Sequence, residues 1–184
     1  MLLSMAARRP TTPPARRDAT PAEFKALAHP LRLRILRLCL HDSLTNKEIA
    51  DRLGQDPATT LHHVRTLCAT GFLSAEAPRT GKRGALEKPY SATRKSWTLS
   101  IAGASEQVTS LLAGLDALRG ELTDAGPDAI VMSSRLGLRL SADEIAELAA
   151  RLNEIVEEYA ARPPTRTGSS VGLYVTLHHL APRP

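Results

Sequence analysis

The stretch DPATTLHHVRTLCATG, residues 56–71, decides how the rest of this 184-residue chain is organised. Asp56 suits the N-cap of a helix, Pro57 suits its first turn, and Gly71 suits the left-handed position that ends many helices. One stripe of this helix suits a core and consists of Thr60, Val64 and Leu67. The other face carries Ala58, Thr59, His62, Arg65 and Thr66. Because no carboxylate occurs between Asp56 and Glu76, we interpret this face as a surface for a polyanion.

A shorter helix is predicted directly upstream. Thr45-Asn46-Lys47-Glu48 is a capping box, in which a Thr side chain and a Glu three residues later bind the free N–H groups of a helix start. The helix then carries Ile49, Ala50 and Leu53 on one side and ends at Gly54. A short helix, a turn of about three residues containing glycine, and a longer helix form a helix-turn-helix pattern.

The chain before this motif predicts a tail and two more helices. Residues 1–19 are rich in Pro, Thr, Ala and Arg without periodicity, which predicts a disordered basic tail. The tail contains arginines that either contact DNA or stay solvated, namely Arg8, Arg9, Arg16 and Arg17. A capping box from Thr20 to Glu23 opens the first helix, and Pro30 opens the second. In the second helix we expect Arg32, Arg34 and Arg37 to point outward.

The chain after the motif predicts a β-hairpin. FLSAEA reads as a strand, PRTGKRGALEK as a long basic loop, and PYSATRKSWTL as a returning strand through Tyr90, Trp97 and Leu99. Helices followed by such a hairpin make a winged helix-turn-helix over residues 20–99.

With these pieces in place, residues 24–93 resemble the winged-helix domain of the ArsR (arsenical-resistance repressor) type of bacterial transcription regulators. The resemblance rests on FKALAHPLRLRIL, LTNKEIADRLGQDPATTLHHVRTLCATGFL and KPYSAT. It implies a homodimeric, DNA-binding regulator. Metal-sensing members of that family carry a thiolate pair at the positions of Thr45 and Lys47, so the resemblance implies no metal site here.

The distribution of charge agrees with a nucleic-acid partner. Residues 1–99 contain 17 Lys and Arg against 8 Asp and Glu, a net charge of +9, whereas residues 100–184 contain 7 against 11, a net charge of −4. A basic half joined to an acidic half suggests nucleic acid at one end of the molecule. No apolar run approaches 18 residues and no secretory signal is recognised, so we expect a cytoplasmic, nucleoid-associated protein.

Candidate DNA contacts lie on three elements. On the helix 57–70, placed in the major groove, they are Ala58, Thr59, His62, Arg65 and Thr66. At the start of the preceding helix, where free N–H groups attract phosphate, they are Thr45, Asn46 and Lys47. On the wing 78–88 they are Arg79, Lys82, Arg83 and Lys88, which contact the flanking backbone or are a solvated charge run. Arg65 reaches either a guanine or a phosphate.

The sequence gives few signs of metal binding, redox chemistry or catalysis. His63 suits packing as well as DNA contact, and Leu61 suits packing. Cys39 and Cys68 suit small buried thiols, with a redox or metal role as the alternative. The six histidines lack the i, i+4 pair that zinc favours on a helix, and no nucleophile elbow, phosphate-binding loop or Cys-x-x-Cys occurs. We therefore predict no enzyme, no catalytic residue, no metal site and no cofactor.

Two further segments follow the wing. Residues 100–126 contain a predicted linking helix whose apolar side chains fall near one face, namely Val108, Leu111, Leu112, Leu115, Leu118 and Leu122. It either forms a dimer or packs on its own domain. Residues 127–184 read as a strand (SSRLGLRL), a helix capped by Ser141 and Glu144, and a strand (VGLYVTLHHL). This β-α-β domain either completes a dimer or binds an unknown small effector.

The predicted fold is thus α+β and mainly helical, with a winged helix-turn-helix, a linking helix and a small C-terminal β-α-β domain. The predicted function is sequence-specific binding of double-stranded DNA by a homodimeric transcription regulator of the repressor type, on a palindromic operator. The alternative is a winged-helix module that binds protein or RNA without recognising an operator.

Overall fold

A computed structural model describes residues 16–81, 84–163, 165 and 167–180. The chain divides into two compact units, of which the larger ends at Ile130 and the smaller begins at Val131. The predicted tail residues Arg8 and Arg9 lie outside the described residues, as do Lys82 and Arg83 of the wing. The α+β, mainly helical fold class is confirmed.

The larger unit begins with the predicted helices. They are α1 (Pro21–Leu27), α2 (Pro30–Leu38), α3 (Asn46–Leu53) and α4 (Pro57–Ala69). The capping boxes at Thr20 and Thr45 both form, with each Thr side chain and its Glu exchanging hydrogen bonds with the backbone. Helix boundaries in this region are thus set by local chemistry that the sequence displays.

Short strands form the sheets of this unit. They are β1 (Arg17–Asp18), β2 (Leu44–Thr45), β3 (Leu73–Ala75), β4 (Arg79–Thr80), β5 (Leu86–Glu87), β6 (Pro89–Ala92) and β7 (Leu99–Ser100). β6 is the centre of a three-stranded antiparallel sheet, with Tyr90 opposite Leu44 of β2 and Ala75 of β3. β4 and β5 pair antiparallel and extend the hairpin, so the predicted wing is present.

Two details near the ends of the winged domain differ from the expectation. Arg17, assigned to the tail, lies in β1, which pairs in parallel with β7. It also binds the buried carboxylate of Glu23 at 2.6 Å, as does Lys95 at 2.6 Å, and these cations hold the pKa of Glu23 well below its usual range. Trp97, expected in a strand, lies in a 3₁₀ helix (Lys95–Thr98) that follows a left-handed residue, Arg94, at φ 61°. A local conformation of this kind interrupts a strand regardless of residue type.

The core lies between α1 to α4 and the sheet. Its largest fully buried side chains include Ile35, Ile49, Val64, Leu67 and Phe72. Full burial of each such side chain is worth about 1.5 to 3 kcal/mol. The predicted stripe of α4 therefore faces this core, and its opposite face is left outside.

A long helix, α5 (Ala104–Ala125), completes the larger unit and packs on α2. Its contact face is made of small residues. Ala113 and Ala117 are buried, and a Cβ atom added at Gly120 would lie 3.0 Å from the Arg34 guanidinium. Arg34 also pairs with Asp124, and Arg37 lies 3.6 Å from Glu121. The predicted helix is present. Its most buried side chains are small, while Leu111 and Leu118 of the predicted apolar face are half-buried and the other four are exposed.

The smaller unit is built around α6 (Ala142–Ala160), with the predicted capping box of Ser141 and Glu144. The flanking segments of the predicted β-α-β have no strand pairing among the residues that the structure describes, so those two strands are a correction. Leu136 is 77% exposed and Val171 is 75% exposed. Alternation supplies one apolar face, but a strand also needs a hydrogen-bonded neighbour, and neither segment has one in the part of the chain that the structure describes.

Within the described part of the chain, no helix has the length and apolar character needed to cross a membrane.

Candidate nucleic-acid interface

Helix α4 is held at both ends by its own sequence. The Asp56 carboxylate accepts hydrogen bonds from the backbone N–H groups of Ala58 at 2.8 Å and Thr59 at 3.0 Å. After the last turn Gly71 takes a left-handed φ of 73°, and the N–H of Phe72 donates to the Leu67 carbonyl at 2.8 Å. This pattern is the Schellman C-terminus that glycine permits. Both termini are therefore fixed before any ligand binds.

The predicted recognition face lies on the outside of α4. Thr60, His63, Val64 and Leu67 are buried beneath it. The predicted contact residues are exposed, with Thr66 half-buried, and they comprise Ala58, Thr59, His62, Arg65 and Thr66. His63 and Leu61 are less exposed than the predicted contact residues, because His63 is only 8% exposed and Leu61 is half-buried. The face is convex and neutral or basic. It is one helix wide, and the major groove admits an α-helix.

The start of α3 is packed against the start of α4. The Asn46 amide donates to the Pro57 carbonyl at 2.9 Å, which joins the N-termini of the two helices. The turn between them uses Gly54 in a left-handed conformation at φ 60°. Thr45 is only 6% exposed and its hydroxyl accepts from the Glu48 N–H, so its side chain serves as a cap. Lys47 is exposed and pairs with Asp51 at 2.6 Å.

The wing is attached to α3 through Arg79. Its guanidinium donates to both carboxylate oxygens of Glu48, at 2.8 and 2.9 Å, and lies 3.8 Å from Glu87. Sequence reasoning placed Arg79 among the solvent-facing wing cations, and no sequence signal linked it to Glu48. Lys88 is exposed beside β6. The structure thus brings the start of α3, the outside of α4 and the base of the wing together.

A cluster of Arg32, His29 and His63 lies behind the outer face of α4. Arg32 was expected to point outward, but it is only 8% exposed. Its guanidinium donates to the carbonyls of Lys25 at 2.5 Å and Ala26 at 2.6 Å, and lies 3.4 Å from Nδ1 of His63. The last carbonyls of α1 need donors, and Pro30, which follows closely, has no N–H. The need for a hydrogen-bond donor at this helix end follows from the proline in the sequence HPLR. The periodicity of α2 alone does not show it.

The histidines of this cluster are kept neutral by their surroundings. The rings of His29 and His63 have centroids 4.6 Å apart. Burial, together with the positive charge of Arg32 and its neighbouring histidines, lowers the pKa of His63 to about 4. Burial is also the main cause that lowers the pKa of His29. His63 is therefore a neutral packing residue at physiological pH, and His62 is the histidine available on the outer face.

The two cysteines differ in burial, and only Cys39 is the buried thiol that the packing interpretation predicts. Cys39 is 1% exposed, and burial raises its pKa to about 12. Burial also raises the pKa of Cys68, which is half-buried. A thiol held in the protonated form is a poor nucleophile and a poor metal ligand. Among the described residues, no group of three or more His, Cys, Asp or Glu side chains is arranged to hold a metal ion.

Comparison with known proteins gives a short family match and distant structural similarities. The family model described as "Helix-turn-helix domain" matches residues 27–74, which include α2, α3 and α4. No curated protein matches the chain. The chain therefore contains a helix-turn-helix domain, and the match ends where the wing begins.

Among solved structures, the chain is similar to reduced HlyU from Vibrio cholerae, with 19% identity over 50% of this chain and 80% of that one, at a TM-score of 0.33. It is similar to the transcriptional regulator SlyA, with 17% identity over 70% and 75% and a TM-score of 0.30. It is also similar to the transcriptional regulator Tm0710 from Thermotoga maritima, with 16% identity over 78% and 80% and a TM-score of 0.28. At scores this low, the fold rests on the element order and contacts of the chain itself.

Proposed function

We propose that the protein is a transcription regulator that binds double-stranded DNA through the outer face of α4. The observation that carries this proposal is the exposure and composition of this face. It is solvent-exposed, both ends of the helix are fixed by caps, and no carboxylate occurs from residue 57 to residue 75. Phosphates dominate the affinity of proteins for DNA, so a surface without acids favours that partner.

The side chains on α4 have distinct roles in this proposal. Thr59 and His62 lie in the first half of the helix and reach base edges, while Ala58 and the Thr59 methyl group meet thymine methyls. Arg65 lies one turn further along, toward a guanine or a phosphate, and Thr66 lies beside it. Thr66 donates its hydroxyl to the His62 carbonyl at 3.0 Å, which leaves its methyl group and oxygen lone pairs for a ligand.

The flanking elements contact the backbone. The free N–H groups at the start of α3 attract a phosphate, with Lys47 beside them and Thr45 and Asn46 fixing the helix position. Arg79 sets the distance between the wing and α3 through Glu48. Lys88, with Lys82 and Arg83 between β4 and β5, supplies charge along the wing. These contacts position the helix without reading sequence.

Helix α5 gives the proposed protein a dimer interface. Its α2-facing side is occupied, whereas Val108, Leu112, Leu115 and Leu122 are 55%, 55%, 40% and 43% exposed. At 100° per residue, these four side chains fall on one stripe opposite Ala113 and Ala117. Spacings of four, three and seven residues make the a/d seam along which two helices pair. A two-fold dimer presents two copies of α4 to half-sites about one helical turn apart.

The domain assignment is part of the proposal. Residues 20–99 bind DNA, residues 100–126 link and dimerise, and residues 127–184 stabilise the dimer or bind an effector. The exposed apolar side chains of the smaller unit include Ile155 at 52% and Tyr159 at 59%. Such side chains on an amphipathic helix favour burial against a partner.

Selection from a random duplex library tests the function. We expect enrichment of a two-fold symmetric sequence whose half-sites are spaced by about 10 base pairs. Salt-dependent retention of all duplexes with no enriched sequence would contradict operator recognition and favour the interaction module. A mass measurement in solution on the same sample decides whether the binding species is a dimer.

A further inference from the structure

The guanidinium of Arg79 joins three segments of the larger unit. Arg79 lies in β4, at the start of the β4–β5 hairpin of the wing. One of its terminal nitrogens donates to both carboxylate oxygens of Glu48 in α3, at 2.8 and 2.9 Å. The other terminal nitrogen donates at 3.5 Å to the carbonyl of Ser43, which precedes β2, and Nε lies 3.8 Å from the Glu87 carboxylate in β5. One side chain therefore links both strands of the hairpin to α3.

Beyond its covalent connections to β3 and β6, little else fixes the position of this hairpin. None of its four strand residues is buried, so the hairpin does not pack into the core. In the part of the chain that the structure describes, the ion pair between the hairpin and a helix is the one that Arg79 forms with Glu48. The orientation of the hairpin relative to α3 therefore depends on Arg79.

Glu48 is a fixed partner for this arginine. It is the third residue of α3, and its carboxylate accepts a hydrogen bond from the Thr45 N–H at 2.7 Å in the capping box. That hydrogen bond is the main cause that lowers the pKa of Glu48, and the positive charge of Arg79 lowers it further. Glu48 is therefore a carboxylate at neutral pH, held in place at the start of α3.

We propose that Arg79 and Glu48 form a strut that positions the wing for DNA binding, and that neither residue contacts DNA. The strut serves the proposed function, on which this inference rests. A hairpin that is already oriented loses less conformational freedom when it binds, so more of the interaction energy appears as affinity. The exposed Lys88, which follows β5, is thereby presented to the DNA backbone at a fixed distance from α3. An acidic residue beside the DNA-binding face then strengthens binding.

The strut predicts an effect of Glu48→Gln that is opposite to the effect of charge alone. Glutamine also completes a capping box at the third helical position, so α3 should keep its start. Loss of a carboxylate near a polyanion would by itself strengthen binding, because phosphates dominate the affinity of proteins for DNA. We expect Glu48→Gln instead to weaken binding roughly threefold, the size expected for an exposed ion pair. Fluorescence anisotropy with a labelled random-sequence duplex measures the affinity.

Asp51→Asn is the matched control for Glu48→Gln. Asp51 lies in the same helix, and its carboxylate also forms an ion pair, with Lys47 at 2.6 Å. Both residues of that pair belong to α3, so the pair holds no other element. Asp51→Asn thus removes the same charge and leaves the wing attached. We expect it to leave the affinity for the duplex unchanged or to raise it.

Arg79→Gln and the double variant separate a strut from a phosphate contact. In a strut the two residues act together, so Arg79→Gln, Glu48→Gln and the double variant should weaken binding to a similar extent, with an unchanged salt dependence. If Arg79 contacted a phosphate, Arg79→Gln would lower the slope of the salt dependence by about one. Tighter binding in Glu48→Gln, an equal loss in Asp51→Asn, or that change of slope would each overturn the strut.

Amide hydrogen exchange of the full chain without DNA tests the strut separately from the function. The Gly81 N–H donates to the Ala85 carbonyl at 2.9 Å in the hairpin. Local opening of the hairpin controls the exchange rate of this amide, which should rise roughly threefold in Glu48→Gln and in Arg79→Gln and stay unchanged in Asp51→Asn. Unchanged Gly81 exchange in the first two variants would overturn the strut. A wild-type chain that binds no duplex contradicts the proposed function, and the exchange rates still decide whether the strut holds the hairpin.

Discussion

Arginines in the winged domain have opposite environments that their sequence positions do not distinguish. Arg32 is buried and donates to two carbonyls at the end of α1, whereas Arg65 is exposed on α4. We expected Arg32 on the outer side of α2, but at 100° per residue it lies only 20° from the buried Cys39, at the edge of the buried stripe. The neighbouring helix end, which needs donors, brings it inside. The residues whose roles depend only on their own helix, such as Asp56 and Gly71, were predictable, and those that serve another element were not.

Replacing Arg32 should destabilise the fold. In Arg32→Ala the carbonyls of Lys25 and Ala26 lose buried donors, which costs about 1 to 3 kcal/mol. Urea unfolding followed by circular dichroism measures the loss. Arg37→Ala removes an exposed arginine of the same helix and should cost below about 1 kcal/mol. Equal losses in the two variants would show that the Arg32 contacts do not stabilise the domain.

The neutral state of His63 makes stability depend on pH. Its pKa in the folded protein is about 4, below the value of about 6.5 in an unfolded chain. The unfolded chain therefore binds more protons between these values, and the free energy of unfolding should fall as the pH drops from about 6.5 to about 4. The stabilisation is fully present above pH 6.5.

Unfolding curves at pH 7 and pH 5 test this dependence. In His63→Gln, which does not titrate, the difference between the two pH values should be smaller than in the wild type. His29 has a lowered pKa and remains in both proteins, so some dependence persists. An identical pH dependence in both proteins would contradict the assignment to His63.

At the scale of elements, the helix caps were predictable from the sequence, whereas the pairing of strands that are distant in sequence was not. The capping boxes at Thr20, Thr45 and Ser141 form as expected, since each involves residues within one turn. The β-hairpin of the wing also forms, because its strands are close in sequence. The strand-like segments around Leu136 and Val171 lack a neighbour to pair with among the described residues, and alternation does not specify one.

Helix α5 shows why an apolar stripe alone does not identify a contact face. Its small residues Ala113 and Ala117 allow close approach to α2, so the larger Leu112 and Leu115 remain outside. Apolar residues occur on two opposite sides of this helix. Sequence reasoning identified the larger side chains, of which Val108, Leu112, Leu115 and Leu122 are exposed and Leu111 and Leu118 are half-buried.

Charge placed in the α5 seam should prevent dimer formation. In a double variant, Leu112→Glu and Leu115→Glu, four carboxylates would meet at a two-fold interface, where like charges and lost apolar burial both oppose association. Sedimentation equilibrium should give the mass of a monomer, while circular dichroism shows that the domain is folded. Thr109→Glu, on an exposed side of the same helix, should remain dimeric. A dimer of undiminished affinity in the double variant would place the interface elsewhere.

At the scale of the whole molecule, charge and fold divide the chain at different places, because the charge changes sign near residue 100 whereas the larger compact unit ends at Ile130. The basic residues 1–99, with a net charge of +9, contain the helix-turn-helix and wing, and the acidic residues 100–184, with −4, contain α5 and α6. The fold class and the exposed outer face of α4 were predictable because they depend on periodicity, caps and charge. The ion pairs that hold the wing to α3 depend on distances between elements and required the structure.

The most direct measurement compares affinities for the selected duplex and for a scrambled duplex of the same composition, at two salt concentrations. Arg65→Ala and His62→Ala alter the outer face of α4, and Arg52→Ala alters an exposed arginine of α3. If the α4 face reads sequence, the ratio of the two affinities should fall about tenfold or more in the α4 variants. It should stay unchanged in Arg52→Ala. An unchanged ratio and an unchanged salt dependence in both α4 variants would contradict recognition by this face.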